Sequence, residues 1–333
     1  MDVIAVSLSL TGVLFIASHN IVKRISLRDG QLTPSEFLAV SQGIAVLFLA
    51  AMILWEGFDA PSHFNSRIFW MAVFITAVIN ILIQYANARA AQLAEASLIA
   101  PIQALTPGLV TITALTLGEQ PTLQGIAGIG LIALGTYIHG RENATTLREY
   151  LYPFAFLRLP ANFKELPLIA QRQALSNRTA LRFAYGSAVA GSVALVFDGL
   201  LARNGNVALG MMVKWLILTL FFGSAAIAGL FRNDVYSQKR KIFGKWRLLL
   251  GAGIFLGLNE VLIGTAFRVA PIAYIGSLKR LSIIFITLLS WWILREAKAK
   301  RRLFPALLVT GGAILLATDG SMARLVNYLD FVL

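Results

Sequence analysis

Five ionisable residues lie inside long apolar runs in the second half of the sequence, and they are the first candidates for chemistry. They are Asp198, Lys214, Glu260, Lys279 and Arg280. If these runs cross a membrane, each charge costs about 2.5–3.5 kcal/mol at mid-depth and is expected to face a partner or a polar cavity. Three cations against two carboxylates favour binding of an anion.

Lys279 and Arg280 are adjacent and lie near the middle of their apolar run. A side chain at that depth does not easily reach water by extending along its helix. Ser277 lies three positions before Arg280 and shares its helix face. The pair predicts an anion clamp, and a buried ion pair that holds helices together is the alternative.

Glu260 and Lys214 each allow two interpretations. An isolated carboxylate at Glu260 would carry a proton, whereas beside Lys214 or Arg280 it would stay ionised and act structurally. Lys214 correspondingly either faces the substrate or neutralises Glu260. Asp198 lies near the end of its apolar run, and we interpret it as the hydrated end of a helix.

Uncharged polar residues mark a second candidate surface. Asn80 and Gln84 are four residues apart and form one polar stripe, which either joins helices by hydrogen bonds or lines a cavity. Tyr274 is either a ligand contact or part of the aromatic packing. The predicted substrate-binding residues are Lys279, Arg280, Lys214, Glu260, Gln103, Gln84, Asn80, Ser277 and Tyr274; no catalytic or metal-binding residue is predicted.

The composition identifies the environment of these residues. Hydrophobic residues make up 57% of the 333 residues and charged residues only 14%, and the mean hydropathy is +0.73. Soluble domains are about half apolar and a quarter charged, so the chain is predicted to be an integral membrane protein. The absence of cysteine excludes disulfides and thiolate metal sites.

Ten windows are long and apolar enough to cross a bilayer core of about 30 Å. They are residues 3–22, 35–55, 69–88, 95–116, 123–139, 181–201, 207–230, 248–267, 271–293 and 303–319. The sequence therefore predicts an all-α polytopic membrane protein with ten transmembrane helices.

The basic residues are distributed unequally between the two sides of the membrane that ten spans would define. One set of connections, counted together with Arg182 at the very start of the sixth window, holds 22 of the 29 Lys and Arg residues, and three more lie deeper within spans. The opposite side holds four: Arg67, Arg203, Arg268 and Arg324. By the positive-inside rule the basic side is cytoplasmic and both termini are extracytoplasmic. The same bias accounts for the net charge of +13 without nucleic acid as a partner.

The two halves align without a gap when the segment 95–138 is placed on 272–315. Glu119 then matches Glu296, Gly135 matches Gly312, and Gln103 matches Arg280. Five spans per half is an odd number, so the halves insert in opposite orientations, as in many secondary transporters. The predicted organisation is a first repeat at 1–140, a basic connecting segment at 141–180 that is either interfacial or a plain linker, a second repeat at 181–320 and a tail at 321–333.

This organisation resembles the EamA-like branch of the drug/metabolite transporter superfamily. The likeness is carried by residues 117–122, by residues 294–296, and by the glycine-bearing helix that follows each. It implies an exporter or exchanger in a bacterial inner membrane. The Lys279–Arg280 pair is also similar to one in plastid sugar-phosphate translocators, where it binds phosphate.

The predicted function is secondary active transport of a small organic anion that bears a carboxylate or phosphate, by alternating access between the repeats. A flippase for a phospholipid-like headgroup is the alternative. Clustered metal ligands and a phosphate-binding GxxxxGK[ST] loop are absent from the sequence, so no enzyme activity and no cofactor are predicted. The expected partners are the substrate and the bilayer, and the protein is expected to be a monomer or a homodimer.

Overall fold

A computed structural model of the protein describes residues 3–27, 32–56, 66–93, 102, 105–140, 163–230, 244–282, 284–286, 288–289 and 303–319. Ten α-helices are assigned among these residues. No strand occurs among these residues. The helices are α1 (Val3–Leu27), α2 (Pro34–Glu56), α3 (Arg67–Leu93), α4 (Thr106–Leu115), α5 (Leu123–Gly140), α6 (Leu168–Asn204), α7 (Val207–Leu230), α8 (Trp246–Val269), α9 (Ile272–Leu278) and α10 (Leu303–Thr318). Short 3₁₀ turns at Phe163–Glu165 and Lys279–Leu281 precede α6 and follow α9.

Six of these helices are long and apolar enough to cross a membrane: α1, α2, α3, α6, α7 and α8. Helix α4 and the apolar parts of α5 and α10 are shorter, with 10–17 residues. The chain is therefore all-α in its described part, with several segments that can span a bilayer. The count of ten spans stays a prediction.

Helix α6 begins earlier than the sequence indicates. The predicted span starts at residue 181, but α6 starts at Leu168, so the end of the predicted connecting segment is helical. Pro167 immediately precedes it, with φ −53° and ψ 146°. Proline lacks an N–H group and has a fixed φ, so it is well tolerated where a helix starts. Residues 141–162 of that segment, which the sequence predicts to be interfacial or a plain linker, lie outside the described residues.

The helices pack in a regular set of pairs. Helix α1 packs on α8 and α3 packs on α6, while α2 packs on α7, α4 on α9 and α5 on α10. Exchanging each helix for the one five places away leaves this set of pairs unchanged. The largest hydrophobic core lies among these helices and includes Phe69, Leu201 and Phe267, none of which is exposed.

Helices α5 and α10 cross at glycines. A Cβ atom on Gly312 would lie 2.5 Å from the Gly128 carbonyl oxygen, and one on Gly135 would lie 2.8 Å from the Pro305 carbonyl oxygen. The alignment of the two halves relates Gly135 to Gly312 and Gly128 to Pro305, so the two contacts are equivalent. Small residues let membrane helices approach closely, where lipid supplies no hydrophobic driving force between them.

Two neighbouring glycines of α10 test this crossing. We expect Gly312→Ala to lower the free energy of unfolding by about 1–3 kcal/mol, because the new methyl group overlaps the Gly128 carbonyl. Gly311→Ala is the matched control, since no atom lies within 4 Å of its Cβ position. It is expected to be neutral or to stabilise by about 0.5–1 kcal/mol. Equal thermal stability of the two variants in detergent would contradict the close contact.

Candidate substrate-binding site

Lys214 is the centre of a buried cluster of charges. Its Nζ atom lies 2.7 Å from Oε2 of Glu260 and 3.4 Å from Oδ1 of Asp198. The three side chains come from α7, α8 and α6, and all three are buried. Of the two interpretations of Lys214, the structure therefore places it as the partner of Glu260.

The embedded charges form one layer. Asp198 lies six residues from the end of α6, Lys214 seven from the start of α7, Glu260 nine from the end of α8, and Lys279 seven from the start of α9. At about 1.5 Å of rise per residue, these positions are about 9–14 Å from the same end of the bundle. Residues that are far apart in sequence thus share a depth.

Uncharged side chains hold the two carboxylates in place. The Thr76 hydroxyl donates a hydrogen bond to Oδ1 of Asp198 at 2.8 Å, and the Asn80 amide donates to the Thr76 carbonyl and hydroxyl oxygens at 2.8 and 3.2 Å. Asn259 donates to Oε1 of Glu260 at 3.1 Å. The first half of the chain therefore contributes hydrogen bonds to the layer, through α3.

The interpretation of Asp198 as a hydrated helix end is wrong. The residue is 6% exposed and bonds to both Lys214 and Thr76. Its position on α6 faces α3 and α7, which exclude water although the helix ends only six residues later.

Lys279 and Arg280 lie on the 3₁₀ turn that follows α9. Such turns within a longer helical segment often mark functional sites. Within the described part of the chain, Lys279 forms no salt bridge. Nε of Arg280 is buried and has no hydrogen-bond partner among the described residues. Among the described residues, Lys279 and Arg280 are therefore the two cations of the layer that no salt bridge occupies, and they remain available to bind a ligand.

The remaining predicted site residues have partners elsewhere or cannot be placed. The Ser277 hydroxyl donates to the Ala273 carbonyl at 2.8 Å within α9. Gln84 accepts a hydrogen bond of 3.2 Å from Gln42 on α2, which joins two helices. The Tyr274 hydroxyl donates to Asp319. Gln103 lies outside the described residues.

Glu119 and Arg203 form a contact at the start of α9, which we call the α9 clamp. The Glu119 carboxylate accepts hydrogen bonds from the backbone N–H groups of Ile272 at 2.9 and 3.0 Å and of Ala273 at 3.4 Å. Arg203 donates to the same carboxylate at 2.7 Å. Gly118, with φ of 79°, adopts the left-handed conformation that turns the chain into Glu119.

The α9 clamp belongs to a wider set of contacts at one end of the bundle. Asp319, after α10, accepts hydrogen bonds from the hydroxyls of Tyr274 and Thr122, the latter at 2.7 Å. Arg203 also donates to the carbonyls at the end of α8, and Arg268 donates to those at the end of α6. The α4–α5, α6–α7 and α8–α9 connections and the end of α10 therefore meet.

Several of these roles were not predicted from the sequence. Glu119 serves there only as a marker of the repeat, and neither Thr76 nor Asp319 is a candidate. One signal was available for Thr76, which lies four residues before Asn80 on the same polar stripe. The partners of Glu119 and Asp319 belong to a different helix, far away along the chain, and no local pattern identifies them.

Comparison with known proteins supports a transporter fold. Residues 3–140 match the model of the EamA-like transporter family, and no curated protein matches the chain. One solved structure, described only as the crystal structure of a protein, is similar with a TM-score of 0.70 at 18% identity, over 97% of this chain and 98% of that chain. That likeness concerns the fold alone. The similarity to EamA-like transporters therefore covers the first predicted repeat, over residues 3–140.

Proposed function

We propose that the protein is a secondary active transporter for a small organic anion that bears a carboxylate or phosphate. The observation that carries this proposal is the state of Lys279 and Arg280. Both are embedded in the charge layer, and neither forms a salt bridge with the described residues, whereas Lys214 is held by two carboxylates. Cations at mid-depth are costly unless they have an ion or a substrate to bind.

The packing supports alternating access as the mechanism. The five helix pairs named above are unchanged when each helix is exchanged for the one five places away, and the two glycine contacts of α5 and α10 are equivalent under the same exchange. Two related halves in opposite orientations provide two similar states, each open to one side. If each of the ten helices crosses the membrane, the connections that meet around the α9 clamp all lie on the same side of it.

The geometry of Glu260 favours a structural role over proton transport. Its Oε2 atom is 2.7 Å from Lys214, and its Oε1 atom accepts a hydrogen bond from Asn259. A carboxylate with a close cation and a second donor is stabilised in its ionised form. We therefore assign Glu260 and Lys214 to the support of the site, and Lys279 and Arg280 to contact with the substrate.

The location of the protein follows from the same proposal. Basic residues are concentrated in the connections on one side, which we assign to the cytoplasm. The connections around the α9 clamp then face the outside, together with both termini. The resemblance to EamA-like proteins makes a bacterial inner membrane the proposed site of action.

Substitution of Arg280 tests the proposed function. Acetate, malonate and inorganic phosphate are added to the purified protein in detergent, and the melting temperature is measured. At least one anion is expected to stabilise the wild-type protein, because a ligand that binds only the folded state raises its stability. Arg280→Ala is expected to weaken that binding by about 10- to 100-fold, the effect of losing a hydrogen bond to a charged group of about 1.5–3 kcal/mol.

Arg67→Ala is the control, because Arg67 is exposed at the start of α3. Its ligand response is expected to equal that of the wild type. Uptake of the stabilising anion into proteoliposomes is expected to be equal for the wild type and Arg67→Ala and lower for Arg280→Ala. Equal stabilisation of wild type and Arg280→Ala by anions would disprove the assignment of Arg280 to the substrate. Stabilisation by short-chain anionic phospholipids, without any response to soluble anions, would favour the flippase alternative.

A further inference from the structure

Among the described residues, the embedded layer has a defined formal charge. The sequence places five ionisable residues deep in its apolar spans, and all five are among the described residues. Two are carboxylates and three are cations, which leaves one positive charge in excess. The contacts show where that excess is located.

Lys214 and its two carboxylates together carry one negative charge, since a single ammonium group serves both Asp198 and Glu260. Lys279 and Arg280 are adjacent and add two positive charges, and neither forms a salt bridge with the described residues. The sum leaves one positive charge in excess, and the buried Nε atom of Arg280 has no hydrogen-bond partner among the described residues. An uncompensated charge is expensive in a medium of low dielectric constant. A bound species with one negative charge completes the balance, whereas a dianion reverses it.

We propose that the site selects oxyanions of one net negative charge over dianions, and that Asp198 is the residue that sets this preference. The inference rests on the proposed function, because it concerns the substrate of the same site. It also separates this chain from a site built for phosphate dianions, although both would use an adjacent lysine and arginine.

Asp198 is better suited than Glu260 to set the charge of the layer. Lys214 is held more closely by Glu260, at 2.7 Å, than by Asp198, at 3.4 Å. Asp198→Asn therefore removes a negative charge while the shorter ion pair remains. An asparagine oxygen also retains the acceptor for the Thr76 hydroxyl, which donates to Oδ1 at 2.8 Å. The substitution changes charge with little change in shape.

Three proteins and three probes test the proposal together. The layer carries one excess positive charge in the wild type, two in Asp198→Asn and none in Lys279→Gln. Each protein is titrated with acetamide, acetate and malonate, which carry no charge, one and two negative charges at pH 7.5. The quantity compared is the ratio of acetate affinity to malonate affinity, so that changes in folding stability cancel within each protein.

The wild type is expected to prefer acetate, and Asp198→Asn is expected to move the ratio toward malonate by about 100-fold. That is the effect of one unit charge at about 6 Å with an effective dielectric constant of about 20. Lys279→Gln removes a positive charge, so it is expected to weaken malonate binding more than acetate binding. The affinity ratio then moves further toward acetate, opposite to its change in Asp198→Asn. If Asp198→Asn does not fold, this opposite shift still decides the question.

Asp319→Asn is the control for loss of a carboxylate, because Asp319 is buried among contacts at the end of the bundle. Its ratio is expected to equal that of the wild type. Binding of both anions with a ratio that Asp198→Asn and Lys279→Gln leave unchanged overturns the charge rule and leaves the proposed function standing. Absence of saturable binding of acetate, malonate and inorganic phosphate in the wild type overturns the anionic function, and the charge rule with it.

Discussion

Lys214→Met is expected to lower the free energy of unfolding by about 3–5 kcal/mol, the largest effect of any single substitution considered for this protein. The substitution leaves Asp198 and Glu260 buried without their shared cation, and an unpaired buried charge is strongly destabilising. Methionine retains an unbranched apolar side chain, so that the packing of the lysine stem is largely kept. The measurement is unfolding of the purified protein in detergent.

A charge-neutral triple variant separates charge from packing. Adding Asp198→Asn and Glu260→Gln to Lys214→Met removes both orphaned carboxylates, and most of the lost stability is expected to return, because a buried ion pair often contributes little net stability. Lys245→Met is the control near the end of the bundle, where Lys245 donates to the Ser26 carbonyl. It is expected to cost no more than about 1 kcal/mol. A Lys214→Met protein as stable as this control would show that the cluster does not depend on its lysine.

Glu119→Ala is expected to have the second largest effect, a loss of about 2 kcal/mol or more in the free energy of unfolding. The substitution removes the acceptor for the Ile272 and Ala273 N–H groups and for Arg203. Each buried donor left without an acceptor costs about 1–3 kcal/mol. Hydrogen exchange is expected to accelerate within α9, and melting temperatures measure the overall loss.

Glu36 provides the matched comparison, because its carboxylate caps only its own helix. It accepts a hydrogen bond from the Thr33 N–H group at 2.7 Å, as in a capping box. Glu36→Ala is expected to cost about 1 kcal/mol, and hydrogen exchange within α9 should not change. If Glu119→Ala is no more harmful than Glu36→Ala, the α9 clamp is dispensable for stability.

Features that depend on local sequence were predictable. Apolar length and the scarcity of charge indicate membrane helices, because the bilayer imposes both requirements on each segment separately. The cost of an embedded charge identified all five residues of the layer before any helix was placed. The pairing of Lys214 with Glu260 was among the alternatives, since few opposite charges exist at that depth.

Features that depend on helix rotation and on distant contacts were not predictable. Asp198 faces Lys214 only because α6 is turned toward α7, and distance from a helix end does not reveal that rotation. The Glu119 carboxylate binds the start of α9, 153 residues further along the chain. The hydrogen bond that Ser277 donates within its own helix has no signature in the spacing that made it a candidate.

The five embedded charges have an uneven origin in the chain. All five come from residues 198–280, whereas the family model matches residues 3–140. The described residues of that matched segment supply a hydroxyl and an amide to the layer but no charge. The segment that resembles the family is therefore not the one that supplies the charges. Differences in buried charge between this chain and EamA-like transporters are best sought first in α6–α9.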